Sequence, residues 1–474
     1  MNLRRAVRPG AFVAVAIAAL VAPPAVLAHG LDTTYQSRLP LAVYLAGAAA
    51  TVALSFAFVL LRDLRAAPPA TEVRGELPPA WLRIGLRTVG LVGWLWIVVQ
   101  GVVGGSSDAD VGSLFLWVFG WVGLALVSAF VGPAWHWLDP FSTLHGLAAA
   151  ALRAVGIRGW DRAPYPATLG RWPAVIGFAF FVWVELVLRG GIGRTLFIVV
   201  VGYTAFTLAM MAQFGRDEWR SRGEAFTVWF RLLGRLAPFA LADETGRVRR
   251  RPFASGLLEG GWTPADVVLV ALGVGSILFD GLSQTTPWYE VFGFPAAPIQ
   301  TVQLVGFLGL IAVAALVVTR FVGVAPTGAG LLPIAVGYLL AHYLTYLLID
   351  GQRILVAVSD PFQQGWDLFG TAFHEPSGAF LPPGLVWTIQ LASVVGGHML
   401  GAWGGHVAAA RTVEGDVAGG AHASAEDTRE LRLRQVPLAV VMVALTTLTL
   451  WSLGQAIVVN PDEAAGALVA LDRR

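Results

Sequence analysis

Four ionisable residues, Glu185, Asp280, His342 and Asp350, lie inside or at the end of long apolar stretches of the chain. A charged side chain in hydrocarbon is costly, so such residues are candidates for a functional site. On one helix, His342 and Asp350 would lie about 12 Å apart along the axis. An imidazole with two or three carboxylates can ligate Zn, Mn, Fe or Cu, and the same groups relay protons in membranes. The pattern predicts one shared polar site that opens outward.

Each of these residues also has a structural interpretation. Glu185 could pair with Arg189, four residues later on the same helix. Asp280 could cap nearby backbone groups, and Asp350 could be a turn residue. His342 could be a neutral histidine that hydrogen-bonds to a neighbouring helix. The sequence alone leaves both interpretations open for each residue.

A further histidine, His398, lies near the middle of a later apolar stretch. Gly397, Gly401 and Gly405 recur every four residues beside it and fall on one helical face. Small residues at this spacing favour close helix packing. His398 is therefore a candidate buried metal ligand next to a packing face. A haem is not favoured, because the sequence offers no clear second axial histidine at a matching depth.

Residues expected outside the membrane supply three more candidates. Signal-peptide cleavage would leave His29 at the N-terminus, where its amine and ring nitrogen could chelate copper. Trp366 and His374 lie in a long loop after Asp350, and long loops often bind substrates. The chain has no Gly-rich phosphate loop, HExxH pair or GxSxG turn, so those enzyme classes lose support.

The composition indicates a membrane protein. Of the 474 residues, 56% are hydrophobic and 13% are charged, whereas soluble domains carry about 25% charged residues. The formal net charge of +2 gives no basis for nucleic-acid binding. Cysteine is absent, which excludes disulfides and thiolate metal sites. The 18 tryptophans are typical of aromatic belts at membrane surfaces.

The elements that would position these residues are transmembrane helices. Residues 1–28 have the basic start, short apolar core and cleavage site of a signal peptide, with an uncleaved first helix as the alternative. Residues 29–474 then form one all-α polytopic bundle of about ten helices. The predicted spans are 39–61, 84–104, 113–133, 173–188, 195–214, 264–283, 299–319, 331–349, 384–408 and 436–458.

Arginine placement predicts the orientation. Most arginines fall in residues 62–87, 134–172, 215–262, 320–328 and 411–434, which should therefore face the cytoplasm. Both mature termini then lie outside a cytoplasmic membrane that the chain crosses many times. Within this Arg-rich set, residues 229–236 have an apolar face and predict an interfacial helix on the inner leaflet.

Two Asp-Pro-Phe tripeptides, at 139–141 and 360–362, are separated by five predicted spans. An inverted repeat of five plus five helices would place such an echo on opposite membrane faces. The simpler alternative is that Asp-Pro is a common helix start, with aspartate as the N-cap and proline at the first helical position.

Four segments carry a resemblance to a known family: residues 40–55, residues 132–135, residues 279–282 with Thr285 and Trp288, and residues 344–351. Together they resemble polytopic membrane proteins of actinobacteria and haloarchaea, some of which are labelled fenitrothion-hydrolase-like. The resemblance implies attack on an organophosphate triester and assigns no catalytic residue.

Two classes of function fit these patterns. In a metal-dependent membrane hydrolase, a metal held by His342 and the carboxylates would activate water against a small apolar phosphoester. In a secondary transporter or metal/proton permease, the same groups would bind the transported ion. A membrane assembly factor without catalysis is a third possibility. The expected partners are the lipid bilayer and an apolar substrate or metal ion, and the sequence does not identify protein partners.

Overall fold

The computed structural model describes residues 41–61, 75–103, 110–157, 162–188, 194–416 and 433–455. The predicted signal peptide, His29 and Arg189 lie outside these residues. In chain order, the first helices are α1 (Leu41–Leu61), α2 (Ala80–Val103), α3 (Val111–Leu114), a π-helix (Phe115–Gly123), α4 (Leu124–Phe130), α5 (Trp135–Leu138), α6 (Pro140–Ala154), a 3₁₀ turn (Ala167–Leu169), α7 (Trp172–Leu186) and α8 (Arg194–Phe214). They are followed by α9 (Arg216–Arg222), α10 (Ala225–Leu233), strands β1 (Phe239–Leu241) and β2 (Val248–Arg250), and a 3₁₀ turn (Ser255–Leu258).

The second half of the chain is also helical. Its elements are α11 (Pro264–Ser283), α12 (Thr286–Phe292), α13 (Ala297–Val322), α14 (Val324–Leu348), a 3₁₀ turn (Asp350–Gln352), α15 (Arg353–Ser359), α16 (Pro383–Asp416) and α17 (Val436–Leu453). Strands β1 and β2 pair antiparallel as a short ribbon between helices.

Among the described residues, eight helical stretches are long and apolar enough to cross a membrane. They are Ala80–Val103, Val111–Phe130, Arg194–Phe214, Pro264–Ser283, Ala297–Val322, Val324–Leu348, Pro383–Arg411 and Val436–Leu453. Two shorter apolar stretches lie in α1 and α7. Each of the ten predicted spans overlaps one of these helices, so the chain is a multi-pass, helical membrane protein.

Helices α14 and α16 make the closest helix contact, and their glycines explain it. A methyl group added at Gly401 would lie 2.3 Å from the carbonyl oxygen of Gly330. Methyl groups added at Gly397 and Gly337 would lie 2.7 Å from the carbonyl oxygen of Pro333 and 2.4 Å from that of Ser393. The backbones of the two helices touch without intervening side chains, which confirms the predicted packing role of the glycine stripe.

Helix α10 lies inside the bundle, and the prediction that residues 229–236 form an interfacial helix is wrong. Seven of its nine residues are buried, and it packs against α4, α7 and α11. The Trp229 ring fits against Gly273 of α11, where an added methyl group would lie 2.4 Å from it. The apolar face of α10 therefore meets protein rather than lipid.

The chain that follows α10 is held by arginines that donate to its backbone carbonyl groups. Arg251 donates to the carbonyl oxygens of Gly234 and Ala237, and Arg235 donates to the carbonyl oxygen of Glu259. These bonds give hydrogen-bond partners to backbone carbonyl groups outside the helix. Arginines in this part of the chain thus stabilise the fold through hydrogen bonds to the backbone.

The two Asp-Pro-Phe tripeptides adopt different structures. Asp139 is the N-cap of α6, with Pro140 at its first position. Asp360 instead follows α15, and its carboxylate accepts hydrogen bonds from the backbone N–H groups of Gln364 and Gly365, both at 2.8 Å. Asp139 follows the helix-start alternative, and the local structure gives no support to an inverted repeat at these positions.

The helix ends define two faces of the bundle. The first residues of α7 and α11 line a polar pocket together with Arg171 and Arg222. We call this end of the bundle the basic face. Residues Glu185, Asp280 and His342 lie toward the other ends of α7, α11 and α14. We call that end the opposite face. The fold therefore brings three of the four predicted candidates to one end of three helices.

Candidate functional site

Four side chains from three helices form a connected polar group, which we call the Asp280 cluster: Glu185 on α7, Asp280 on α11, and His342 and Tyr343 on α14. The Nε2 atom of His342 lies 2.8 Å from Oδ2 of Asp280. The hydroxyl of Tyr343 lies 3.1 Å from the same Oδ2 and 3.4 Å from Oε1 of Glu185. The carboxylate of Asp280 is therefore the centre of the cluster.

The two carboxyl groups have unequal surroundings. Asp280 faces three donors, because Gln284 donates to its second oxygen at 2.8 Å in addition to the His342 and Tyr343 contacts. Glu185 meets the single hydroxyl proton of Tyr343 only at the longer distance of 3.4 Å. One tyrosine proton can serve one acceptor at a time. A proton carried by Glu185 would complete the chain, since Glu185 could then donate to Tyr343 while Tyr343 donates to Asp280.

The cluster is sealed on two sides by small or aromatic neighbours. A methyl group added at Gly281 would lie 3.5 Å from Nδ1 of His342 and 3.3 Å from the Ser452 hydroxyl. On the other side, the Trp121 indole approaches Glu185 and Tyr343, although its N–H makes no hydrogen bond of normal geometry. Asp280 and His342 keep 17% and 21% of their side-chain surface exposed, so the cluster stays open to small molecules.

The structure does not bring Asp350 to this cluster. Its carboxylate pairs with Arg353 at 3.0 Å, and both side chains are well exposed. The pair forms because the chain turns tightly after α14 and brings Arg353 back over Asp350. The prediction that Asp350 shares a site with Asp280 and His342 is thus replaced by a local surface ion pair, which is close to the alternative of a turn residue.

The two substrate-binding candidates lie on the loop after α15. Nε2 of His374 is 3.2 Å from the side-chain oxygen of Gln352, in the turn that follows α14. Trp366 is 44% exposed, and its ring makes a T-shaped contact with the ring of Phe362. The side-chain amide of Gln100 on α2 donates a hydrogen bond to the carbonyl oxygen of Pro361 in this loop. The loop is folded against the bundle, and a substrate-binding role for His374 and Trp366 stays a prediction.

His398 is fully buried, and hydrogen bonds occupy both of its ring nitrogens. Nδ1 lies 2.8 Å from the carbonyl oxygen of Val394, one turn earlier on α16, and Nε2 lies 3.4 Å from the Tyr338 hydroxyl. These contacts satisfy the ring without a metal and link α16 to α14. The structure therefore favours the structural interpretation of His398.

Metal binding finds limited support in the geometry. Within the described ranges, no group of three or more His, Cys, Asp or Glu side chains is arranged to hold a metal ion. In the Asp280 cluster, His342 already uses Nε2 for Asp280, which leaves Nδ1 as its ligand atom. An aspartate that orients a histidine in this way also occurs behind metal-bound histidines. The residues present supply one oriented nitrogen rather than a complete ligand set.

A second polar cluster, the Asp139 cluster, lies nearer the basic face and comprises His136, Asp139, Tyr203, Arg220 and Glu224. Asp139 and Arg220 form an ion pair at 2.9 Å, with 0% and 4% of their side-chain surfaces exposed. Asp139 also accepts a hydrogen bond from the backbone N–H of Phe141 at the start of α6. This carboxylate is fully paired, in contrast to Glu185.

Glu224 is the N-cap of α10 and is buried in the Asp139 cluster. It accepts hydrogen bonds from the Tyr203 hydroxyl at 2.6 Å and from the backbone N–H and hydroxyl of Thr227 at 2.7 and 2.6 Å. Burial and the nearby Asp139 carboxylate raise the pKa of Glu224. Its contacts fix the start of α10, so Glu224 acts in folding.

The functional positions of Tyr343 and of most of the Asp139 cluster are not visible in the sequence. Tyr343 adjoins His342, but nothing in the sequence shows that its hydroxyl reaches carboxylates 63 and 158 residues away. Glu224 lies two residues after Arg222 in a charged loop, which suggests a solvated residue. Only Asp139 had a usable signal, since aspartate before proline is a common helix start.

Comparison with known proteins identifies no relative: no protein-family model, curated protein or solved structure matches the chain. Any function must therefore be argued from the clusters themselves.

Proposed function

We propose that this protein is a secondary transporter or permease that couples transport to proton exchange at the Asp280 cluster. One observation carries the proposal: Glu185, Tyr343, Asp280 and His342 form a continuous hydrogen-bonding chain across three apolar helices of the bundle. Chains of carboxyl, tyrosine and histidine groups inside membranes are typical of proton relays. No arginine takes part in the contacts that define this chain.

The side chains in this hydrogen-bonding chain have the chemistry that a proton relay needs. A relay needs neighbouring groups that can donate in one state and accept in the other. Glu185 can carry the arriving proton, Tyr343 can pass it on, and Asp280 with His342 can accept it. These groups lie on three different helices. Movement of one helix relative to another would therefore break and re-form the hydrogen bonds between them.

Proton exchange can be tested by infrared titration of the protein in lipid. In the wild type, we expect a carboxylic-acid carbonyl band that appears reversibly as the pH falls. Glu185→Gln should remove this band, and Asp280→Asn should shift the pH at which it appears. Glu290→Gln, at an exposed glutamate near the same end of the bundle, is the matched control and should change neither. A band that survives Glu185→Gln and appears at an unchanged pH in Asp280→Asn would show that the cluster does not exchange protons.

A transport measurement completes the test. Vesicles that contain the protein, adsorbed on a sensor electrode, should give a transient current after a pH jump. Glu185→Gln and Asp280→Asn should abolish that current, whereas Glu290→Gln should preserve it. Equal currents in all four proteins would exclude charge movement through the cluster.

A hydrolase is the second candidate, and the contact between Asp280 and His342 favours it. An aspartate bonded to Nε2 holds the imidazole in one orientation and leaves Nδ1 as a base or a metal ligand. The resemblance to fenitrothion-hydrolase-like proteins points to the same class. Elemental analysis of the purified protein separates the candidates: stoichiometric metal that is lost in His342→Ala, together with phosphotriester cleavage, would favour the hydrolase. Metal-free protein with intact proton exchange would favour the transporter.

A further inference from the structure

A cavity of about 600 Å³ lies beside the Asp280 cluster. Residues of α2, the π-helix, α4, α7 and α8 form most of its wall. Trp121 of the π-helix borders both the cavity and the cluster, and Tyr203 borders the cavity toward the Asp139 cluster. Its volume is within the range of small-molecule sites, which measure about 300 to 1,000 Å³.

The wall of the cavity selects an uncharged occupant. None of the described residues that line it has a charged, amide or aliphatic hydroxyl side chain, and 12 of the 31 are aromatic. Three of the polar side-chain groups at the wall are engaged elsewhere: the Tyr203 hydroxyl bonds to Glu224, and the indoles of Trp94 and Trp135 bond to Thr204 and Thr227. The other two, the indole N–H groups of Trp117 and Trp121, have no hydrogen-bond partner among the described residues. Cavities of this kind stay dry and hold apolar molecules.

The position of the cavity gives its occupant a route from the bilayer. Four of its wall residues are among the exposed apolar side chains of the molecule: Val89, Phe119, Val127 and Phe180. Only 22% of the most apolar stretch of α2 is buried, and the same holds for α8, so both helices mainly face lipid. An occupant can therefore enter from the membrane without crossing water.

We propose that this cavity binds a neutral, ring-bearing lipophile taken from the bilayer. Aromatic walls favour rings, because edge-on and offset ring contacts add to the energy of burial. Phe181 contacts Trp121 and Phe226 in this way, with ring centres 4.9 Å apart in both pairs. A phospholipid could insert only an acyl chain, because the described wall residues offer its charged phosphate no cationic partner.

The shared Trp121 suggests a consequence for transport, which rests on the proposed function. A lipophile against Trp121 would touch the ring that closes one side of the Asp280 cluster. The lipophile is then the cargo, and its binding should depend on the protonation of that cluster. Binding itself does not require this coupling, so the two claims can fail separately.

Photolabelling tests the binding site. The probe is an iodinated phenyl diazirine, which is neutral and photoreactive, added to the protein in phosphatidylcholine vesicles. We expect labelling that excess unreactive iodobenzene suppresses and that maps to peptides from the π-helix, α7 and α8. Labelling spread evenly over all lipid-facing helices, or insensitive to iodobenzene, would overturn the proposal. Stronger protection by a phosphatidylcholine whose acyl chains match the volume of the cavity would also overturn it, in favour of a lipid chain.

Two filling variants and one control make the test specific. A side chain at Gly123 would make ordinary contacts, 3.5 Å from the Val118 carbonyl oxygen and 3.7 Å from Leu347, so Gly123→Leu should be tolerated. Gly123→Leu and Val200→Phe should both lose the protectable labelling. Val302→Phe, on a lipid-facing position of α13 away from the cavity, should retain it. Unchanged labelling in both filling variants, each with normal thermal unfolding, would exclude the cavity as the site.

The coupling claim uses the same probe at several pH values. Protected labelling should depend on pH in the wild type, lose that dependence in Glu185→Gln, and show it at a shifted pH in Asp280→Asn. Protected labelling that is independent of pH in the wild type would support the lipophile site while contradicting the coupling to proton exchange.

Discussion

The two polar clusters use similar residue types in opposite ways. In the Asp139 cluster, an arginine neutralises the central carboxylate, and four hydrogen bonds satisfy Glu224. In the Asp280 cluster, histidine and tyrosine are the central partners, and Glu185 has one long contact. A buried carboxylate with a fixed cation has its charge settled by the fold. A carboxylate that is hydrogen-bonded to groups that gain and lose protons can itself alternate between protonated and ionised forms, which is what proton exchange requires.

The largest expected effect comes from Arg220→Ala. This change leaves Asp139 buried without its cation, and breaking a buried pair from one side costs about 3 to 5 kcal/mol of unfolding free energy. Denaturant unfolding in detergent, followed by tryptophan fluorescence, measures the loss. Arg216→Ala is the matched control: the Arg216–Asp217 pair is 44% and 50% exposed, so its loss should cost about 0 to 1 kcal/mol. Equal losses in the two variants would contradict the structural role given to the Asp139 cluster.

A double-mutant cycle should give an intermediate effect in the Asp280 cluster. Asp280→Asn and His342→Gln remove the same contact, so their effects on unfolding free energy should deviate from additivity by about 1 kcal/mol. The matched cycle pairs Asp280→Asn with Asp350→Asn, which should be additive because Asp350 pairs with Arg353. Non-additive effects in the second cycle would show that Asp350 interacts with the Asp280 cluster.

A further effect concerns pH and the Asp139 cluster. Burial, followed by the charges of Arg220 and Arg231, lowers the pKa of His136 to about 4. Between that pKa and the ordinary value of about 6.5, the unfolded chain binds a proton at His136 that the folded protein excludes. Folding stability should therefore fall as the pH drops through this range.

His136→Gln isolates this contribution. The variant should lose less stability between pH 6.5 and pH 4 than the wild type does, as measured by unfolding at each pH. Parallel pH profiles in the two proteins would show that His136 titrates equally in the folded and unfolded chains.

The fold was largely predictable, and the clusters were only partly so. Apolar spans are visible in sequence because a helix in lipid must satisfy its backbone within itself. Asp280 and His342 were found because ionisable residues in such spans are rare. The role of Tyr343 was not predictable, because tyrosine is common in apolar helices and its contacts join helices far apart in the chain. The burial of α10 was missed because an amphipathic helix pairs equally well with lipid or with protein.

The glycine contacts between α14 and α16 have a mechanical consequence. Where backbone meets backbone, as at Gly401 and Gly330, no side chain can change rotamer to absorb sliding. The two helices should move as one rigid body that carries His342 and Tyr343. Asp280 and Glu185 ride on α11 and α7, so the hydrogen bonds of the cluster cross the boundary of that body. These hydrogen bonds would hold the rigid body against α11 and α7, and their strength would change whenever a proton binds or leaves.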